Sequence, residues 1–167
     1  MAEKRRGQAK ALPDYHDKDK WFTIAKVLLT LSPFVALGYL QMFAGGKDIA
    51  VLLQQNPEIT VTFLVSMAGP FTAYLMGFAQ SHLYEGDAAY MMSHLVLIFA
   101  AEALLRNVVY MIIVTYLMYL VYQMTGMSPM KSLRVKWGNH FWRDLSGCIV
   151  LIVFSLFCLF VSVRLGM

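Results

Sequence analysis

Long apolar runs dominate the chain from residue 21 onward, and short polar segments separate them. The runs cover residues 21–44, 59–80, 88–124 and 145–163. A helix of about 20 apolar residues can cross a bilayer core of about 30 Å. The pattern therefore predicts an all-α, polytopic membrane helix bundle.

The composition agrees with this interpretation. Apolar residues make up 59% of the 167 positions, and the mean hydropathy is +0.57, whereas soluble domains are about 45–50% apolar. Only residues 1–20 form a sizeable polar piece, so no separate soluble domain fits. We interpret residues 1–20 as a disordered, basic cytoplasmic tail; the alternative is an arm that binds anionic lipid head groups.

The apolar run at residues 88–124 decides the topology. As one helix it would be about 55 Å long, well beyond the thickness of the bilayer core. As a hairpin it would form two spans that fold at residues 105–107. The hairpin leaves eleven of the fourteen Lys and Arg residues in the cytoplasm, all except Lys47, Arg106 and Arg164.

Because cytoplasmic segments are rich in Lys and Arg, this count favours five transmembrane helices over four. The predicted spans are residues 21–44, 59–80, 88–105, 107–124 and 145–163. The same rule places the protein in the cell (inner) membrane with its N-terminus in the cytoplasm.

Three polar residues in the long run form a candidate polar site: His94, Glu102 and Arg106. Ionisable residues within a membrane are costly and usually functional. The spacing predicts a pair between Glu102 and Arg106 if one helix continues through both. His94 lies two turns before Glu102, so a proton or cation relay is the functional alternative to a structural pair.

Small residues predict a close helix contact in the second span. Gly69, Ala73 and Gly77 recur at every fourth residue and form a helix-packing seam. Pro33 and Pro70 predict kinks in the first two spans. Paired broken helices can mark a transport site, but membrane helices also tolerate proline for purely structural reasons.

Two short helices are predicted at the membrane surface. Asp48 is placed to cap a helix that begins at Ile49. Ser128 and Pro129 are placed to begin an amphipathic helix in the cytoplasmic interface, with an ordinary positive-inside loop as the alternative. The lipid-facing basic loop that includes this helix contains Lys131, Arg134, Lys136, Trp137, Trp142 and Arg143.

The sequence contains no motif for a catalytic residue, a metal site or a cofactor. Cys148 and Cys158 are ten residues apart, about 15 Å on one helix, and bridged Cα atoms are less than about 7 Å apart. An internal disulfide is therefore excluded. The basic residues lie at the ends of apolar segments, which argues against a nucleic-acid partner.

Two loops carry a resemblance to the Yip family of five-span membrane proteins. Residues 85–95 resemble the family's link into a short third span, and residues 125–135 are similar to its Gly-x-Ser-x-x-Lys-Ala-Leu loop before the fifth span. Ser132 stands at the usual Ala, and the paired glycines after span two and the proline of span three are absent. The resemblance implies a non-enzymatic membrane protein that acts through partners and lipids.

The sequence thus predicts a non-catalytic integral membrane protein: a scaffold, an accessory subunit or a membrane-organising factor. Its expected partners are the lipid bilayer and another membrane protein or a second copy of the chain. The alternative is a small transporter or channel subunit that uses the kinked spans one and two with His94 and Glu102.

Overall fold

The structure, a computed structural model, describes residues 15–44, 48–134 and 141–165. These residues form seven helices and no strand, which confirms the prediction of an all-α polytopic helix bundle. In chain order the helices are α1 (Tyr15–Ala44), α2 (Ile49–Gln55), α3 (Pro57–Tyr84), α4 (Ala88–Leu104), α5 (Val108–Thr125), α6 (Pro129–Arg134) and α7 (Phe141–Leu165).

Four of the described helices are long and apolar enough to cross a membrane: α1, α3, α5 and α7. The helix α4 is apolar but has only 17 residues, so its length is about 25 Å. The predicted break in the long apolar run is present, because α4 ends at Leu104 and α5 begins at Val108.

The turn between α4 and α5 is closed by its own backbone. The N–H of Asn107 donates to the carbonyl of Glu102 at 3.1 Å, and the N–H of Arg106 donates to that of Ala103 at 3.1 Å. Arg106 has a φ of 57°. These two bonds around a left-handed residue form a Schellman motif, which ends helices and usually places Gly at that residue.

Several helix boundaries differ from the predicted ones. The helix α1 begins at Tyr15, six residues before the predicted start, while residues 1–14 of the predicted tail lie outside the described residues. The helix α2 follows Asp48, whose side chain accepts from the N–H of Ala50 at 3.2 Å, as its sequence position predicts. The helix α6 begins at Pro129 as predicted, and residues 135–140 of the predicted amphipathic segment lie outside the described residues.

The helix α4 lies at the centre of the bundle and packs against α3, α5, α6 and α7. Its side chains Met91, Met92, Leu95 and Ile98 are fully buried. The helix α1 packs along α3 and also touches α5. The helices α4 and α5 therefore form a hairpin in which α4 is enclosed by other helices and α5 is largely exposed.

This hairpin is shorter than its neighbours. The rings of His82 and Tyr90 stack with their centroids 4.1 Å apart, and Thr72 is hydrogen-bonded to Glu102, so α3 and α4 run antiparallel in a fixed register. Continuing that register places the turn at residues 105–107 level with Gly69. From Gly69, α3 continues to Pro57, which is about 18 Å further.

The helices α1 and α7 extend past the turn in the same way. Ser32 contacts Ser66 near this level, and α1 continues to Ala44. Gly147 of α7 packs against Leu75, and α7 continues to Leu165. We call the parts of α1, α3 and α7 beyond the hairpin turn the outer halves; they comprise residues 33–44, 57–68 and 152–165.

Candidate functional site

The crossing of α1 and α3 is built on two prolines and one serine. A proline within a helix has no N–H, so the carbonyl four residues before it lacks its helical donor. Pro33 leaves the carbonyl of Leu29 in this state, and Pro70 leaves that of Ser66. The hydroxyl of Ser32 lies 2.8 Å from the first carbonyl and 2.9 Å from the second, so it can donate to either.

The seam residues face α1 at this crossing, within the chain. A Cβ added at Gly69 would meet the Ser32 hydroxyl and the Leu29 carbonyl closer than atoms can approach, at 2.1 Å and 2.4 Å. At Gly77 the nearest atom would be Cδ of Lys26 at 3.7 Å, an ordinary contact. Ala73 is buried in the core. The seam therefore packs two helices of one molecule together.

Glu102 lies at the same level and is almost completely buried, with 1% of its surface exposed. The hydroxyl of Thr72 donates to one of its carboxyl oxygens at 3.3 Å. The second carboxyl oxygen is buried and has no hydrogen-bond partner. A buried carboxyl group with an unsatisfied oxygen carries a desolvation cost. Its presence in a folded protein therefore calls for a structural or functional explanation.

Tyr110 completes the polar group around Glu102. It comes from the first turn of α5, interacts with the Ser32 side chain, and lies close enough to Glu102 to interact with its charge. Ser32, Thr72, Glu102 and Tyr110 thus come from α1, α3, α4 and α5. We call these four residues the mid-level cluster.

The predicted pairing of Glu102 with Arg106 does not have the helical geometry that it requires. The helix ends at Leu104, and Arg106 occupies the left-handed residue of the turn, so the four-residue spacing is not helical. Glu102 accepts a hydrogen bond from Thr72 of the neighbouring helix α3.

His94 lies at a different level of α4. Its ring stacks on Tyr90 at 4.1 Å, and Tyr90 stacks on His82 at the same distance. The Nδ1 atom of His94 lies 3.1 Å from the carbonyl of Tyr90. Eight residues separate His94 from Glu102, about 12 Å along the helix, and the fully buried Leu95, Ile98 and Ala101 occupy the interval. The structure does not bring these two residues together.

A second polar network joins α1 to α3 at the end that carries the predicted cytoplasmic charges. Lys26 donates to the side-chain oxygen of Gln80 at 2.7 Å, and the Gln80 amide donates to Asp19. Tyr84 also donates to Asp19, at 2.7 Å. Trp21 stacks edge-to-face on Tyr116 at this end. Aromatic and long basic side chains of this kind are typical of a membrane interface.

The residues of the predicted basic loop are only partly described. Lys131 is exposed on α6. Arg134 ends α6, and Trp142 and Arg143 belong to the first turn of α7. Lys136 and Trp137 lie outside the described residues.

An apolar recess of about 260 Å³ lies between α3 and α7, at the level where their outer halves begin. Leu64, Met67 and Phe71 line it from α3, and Val150 and Phe154 line it from α7. Below the recess Gly147 allows the two helices to approach, since a Cβ there would lie 2.3 Å from Cδ2 of Leu75. The helices are thus close at Gly147 and leave a gap further out.

Sequence reasoning missed Ser32, Thr72, Tyr110 and Gly147. Thr72 lies three residues after Gly69, so helical spacing alone places it next to the seam. The serine before Pro33 is likewise visible in the sequence, but its partner at Ser66 depends on the register between two helices.

The described part of the chain contains no group of three or more His, Cys, Asp or Glu residues that could hold a metal ion. Both cysteines are free and buried. Comparisons of the chain with family models, with curated proteins and with solved structures find no match. The Yip resemblance therefore stays a prediction.

Proposed function

We propose that this protein is a non-catalytic integral membrane protein that serves as a scaffold or accessory subunit for another membrane protein. In this proposal it lies in the cell membrane with its N-terminus in the cytoplasm, because the basic segments then lie on the cytoplasmic side. Lipid contacts come from the basic loop and α6, and protein contacts come from the outer halves.

The observation that carries this proposal is the uncovered surface of the outer halves. Large apolar side chains there are exposed, among them Phe34, Met42, Phe157 and Phe160. Helices associate in lipid through close packing, because lipid tails are as apolar as the side chains and provide no hydrophobic driving force. The recess between α3 and α7 offers a concave surface of this kind, into which a helix ridge of a partner would pack.

The location of the seam supports this choice of surface. Gly69 and Gly77 already face α1, so they are unavailable to a partner. The gap around Val150 is a place where the described part of α7 separates from α3.

A photo-crosslinking residue tests the proposal in native membranes. Placed at Val150 in the recess, it should form a defined protein adduct. Placed at Ile112, which is similarly exposed on α5, it should react with lipid only. The matched exposure of the two sites means that a difference between them reports a partner.

Filling the recess gives a second arm of the same experiment. Met67→Trp should lower the yield of the Val150 adduct at least about fivefold, because the larger ring occupies the space that a partner helix needs. Equal adducts at both sites, or a Val150 adduct with lipid alone, would contradict the proposal.

The second candidate function is a small transporter or channel subunit. The unsatisfied oxygen of the buried Glu102 favours it. A relay through His94 and Glu102 is disfavoured, because buried apolar side chains separate them. A Glu102→Gln substitution should leave the Val150 adduct unchanged if the protein is a scaffold, and should abolish ion-dependent activity if it is a transporter.

A further inference from the structure

We propose that α4 and α5 form a re-entrant hairpin, which enters and leaves the bilayer on one side and holds Glu102 at mid-depth as a proton-binding site. The proposal goes beyond the scaffold function, since it assigns a ligand to the mid-level cluster. It rests on the depth of the turn, on the hydrogen bonding of the turn and on the surroundings of Glu102.

The depth follows from the apolar lengths of the longer helices. The helices α1, α3 and α7 each contain an apolar stretch long enough to cross a membrane. The turn at residues 105–107 is level with Gly69, about 18 Å before the outer end of α3. A bilayer core is about 30 Å thick, so the turn lies near its middle when these three helices span it.

The polar groups at the other end of the hairpin agree with this placement. His82 and Tyr90, the network of Asp19, Lys26 and Gln80, and the pair of Trp21 and Tyr116 all lie towards that end. If the bilayer covers the outer halves, these polar groups lie at a membrane interface. A bilayer centred on the hairpin would instead expose the apolar outer halves to water.

The backbone of the turn is suited to an apolar environment. Within lipid, backbone N–H and C=O groups need partners inside the protein. The N–H groups of Leu105, Arg106, Asn107 and Val108 all donate to carbonyls of the hairpin, at 3.1–3.2 Å. These four N–H groups of the turn therefore need no partner from water.

The charge of Arg106 is unfavourable within the bilayer, and the position of its side chain at the tip of the hairpin reduces this cost. An arginine at the centre of a membrane helix is costly, and such residues usually face the bundle interior or a water-filled cavity. The long side chain of Arg106 is exposed at the tip, so the guanidinium can extend away from the turn.

Glu102 has the surroundings of a carboxyl group that takes up a proton. The group facing it from α3 is Thr72, and Tyr110 of α5 lies close enough to interact with its charge. Hydroxyl groups can accept a hydrogen bond from a protonated carboxyl group and donate to an ionised one. Arg106, the nearest charged residue along the chain, belongs to the turn.

Two carbodiimides of different polarity test the site in membrane vesicles that contain the full chain. The apolar reagent dicyclohexylcarbodiimide reacts with protonated carboxyl groups inside a bilayer and should modify Glu102. The rate should fall at least about tenfold as the pH rises from about 6 to about 9, since only the protonated acid reacts. A water-soluble carbodiimide should modify the exposed Glu58 and Glu85 and leave Glu102 unmodified.

A cysteine at the turn tests the depth independently. In a chain with both native cysteines replaced by alanine, Asn107→Cys should resist an impermeant maleimide from either side. Asp48→Cys and Glu85→Cys should be labelled from opposite sides and serve as controls. Labelling of the Asn107→Cys chain from the side on which Asp48 lies would show that the hairpin crosses the whole bilayer. This result would overturn the proposal.

The carbodiimide experiment and the cysteine experiment test the proton-binding site and the depth of the turn independently. If the turn is protected but dicyclohexylcarbodiimide does not modify Glu102, or modifies it equally at every pH, then the proton-binding site is wrong. Modification of Glu102 by the water-soluble reagent would contradict its burial at mid-depth. The Glu102→Gln chain should yield no adduct at this position and identifies the modified residue.

Discussion

At the scale of single residues, the contact between α1 and α3 depends on one hydroxyl group and one missing side chain. Ser32 supplies a donor where two prolines each leave a carbonyl without one. Gly69 leaves the space that this hydroxyl occupies. The kinks that the prolines predict are therefore linked to each other through Ser32, and the small residue is needed for that link.

The two seam glycines should respond differently to the same substitution. Gly69→Ala places a methyl group against the Leu29 carbonyl and Ser32, and backbone cannot move aside easily, so we expect a loss of about 1–3 kcal/mol in unfolding free energy. Gly77→Ala meets only the flexible Lys26 side chain at 3.7 Å and should cost little or even stabilise the helix.

Thermal unfolding of the two variants in the same detergent measures this difference. The methyl groups are identical and both glycines lie within α3, so helix propensity cancels in the comparison. Equal melting temperatures for the two variants would show that the crossing at Gly69 is not as close as the geometry gives.

The sequence predicts the seam but not its closest point. Spacing every fourth residue places Gly69, Ala73 and Gly77 on one face, and all three are treated alike by that rule. Only the position of Ser32 and Leu29 on the partner helix separates Gly69 from Gly77. Tertiary register, which no local pattern encodes, makes the difference.

At the scale of elements, the turn between α4 and α5 places an arginine in a backbone conformation that favours glycine. Arg106 has a φ of 57°, and the left-handed conformation costs a non-glycine residue about 1–2 kcal/mol. Arg106→Gly should therefore be more stable than Arg106→Ala by about 1 kcal/mol. Both variants lack the guanidinium group, so its own interactions cancel.

At a position inside α4, alanine and glycine should have the opposite order of stability from the one expected at position 106. Ala100 is exposed inside α4, where Gly is less favourable than Ala by about 1 kcal/mol, so Ala100→Gly should destabilise the chain. Chemical unfolding of the four chains gives both differences. If Ala at position 106 proves as stable as Gly, the turn does not hold residue 106 in the left-handed region.

The break itself was predictable, although no Gly or Pro marks it. The count of Lys and Arg on the two sides of the membrane favours a hairpin over one long helix, and α4 and α5 are separate. The depth of the turn was not predictable in this way, because a hairpin places the basic segments on one side at whatever depth it turns. Depth depends on the contact between Thr72 and Glu102.

At the scale of the whole molecule, fold class follows from the sequence and the site does not. Apolar runs of span length define the helices, since the bilayer restricts a chain to structures that satisfy their own backbone. The mid-level cluster draws single residues from four helices. Ser32, Thr72 and Tyr110 are ordinary in their local sequence and become a site only where those helices meet Glu102.

The hairpin also determines which segments of the chain lie on each side of the membrane. The hairpin returns α5 to the end at which α3 finishes, so the α3–α4 turn and α6 lie on one side, and α1 begins there as well. In a chain without native cysteines, Lys20→Cys, Glu85→Cys and Lys131→Cys should all react with an impermeant maleimide from one side, and Asp48→Cys from the other. The positive-inside rule predicts that this basic side is cytoplasmic, so in intact cells only Asp48→Cys should be labelled. Labelling of Lys131→Cys in intact cells, with Lys20→Cys protected, would place the two basic segments on opposite sides and contradict the hairpin at any depth.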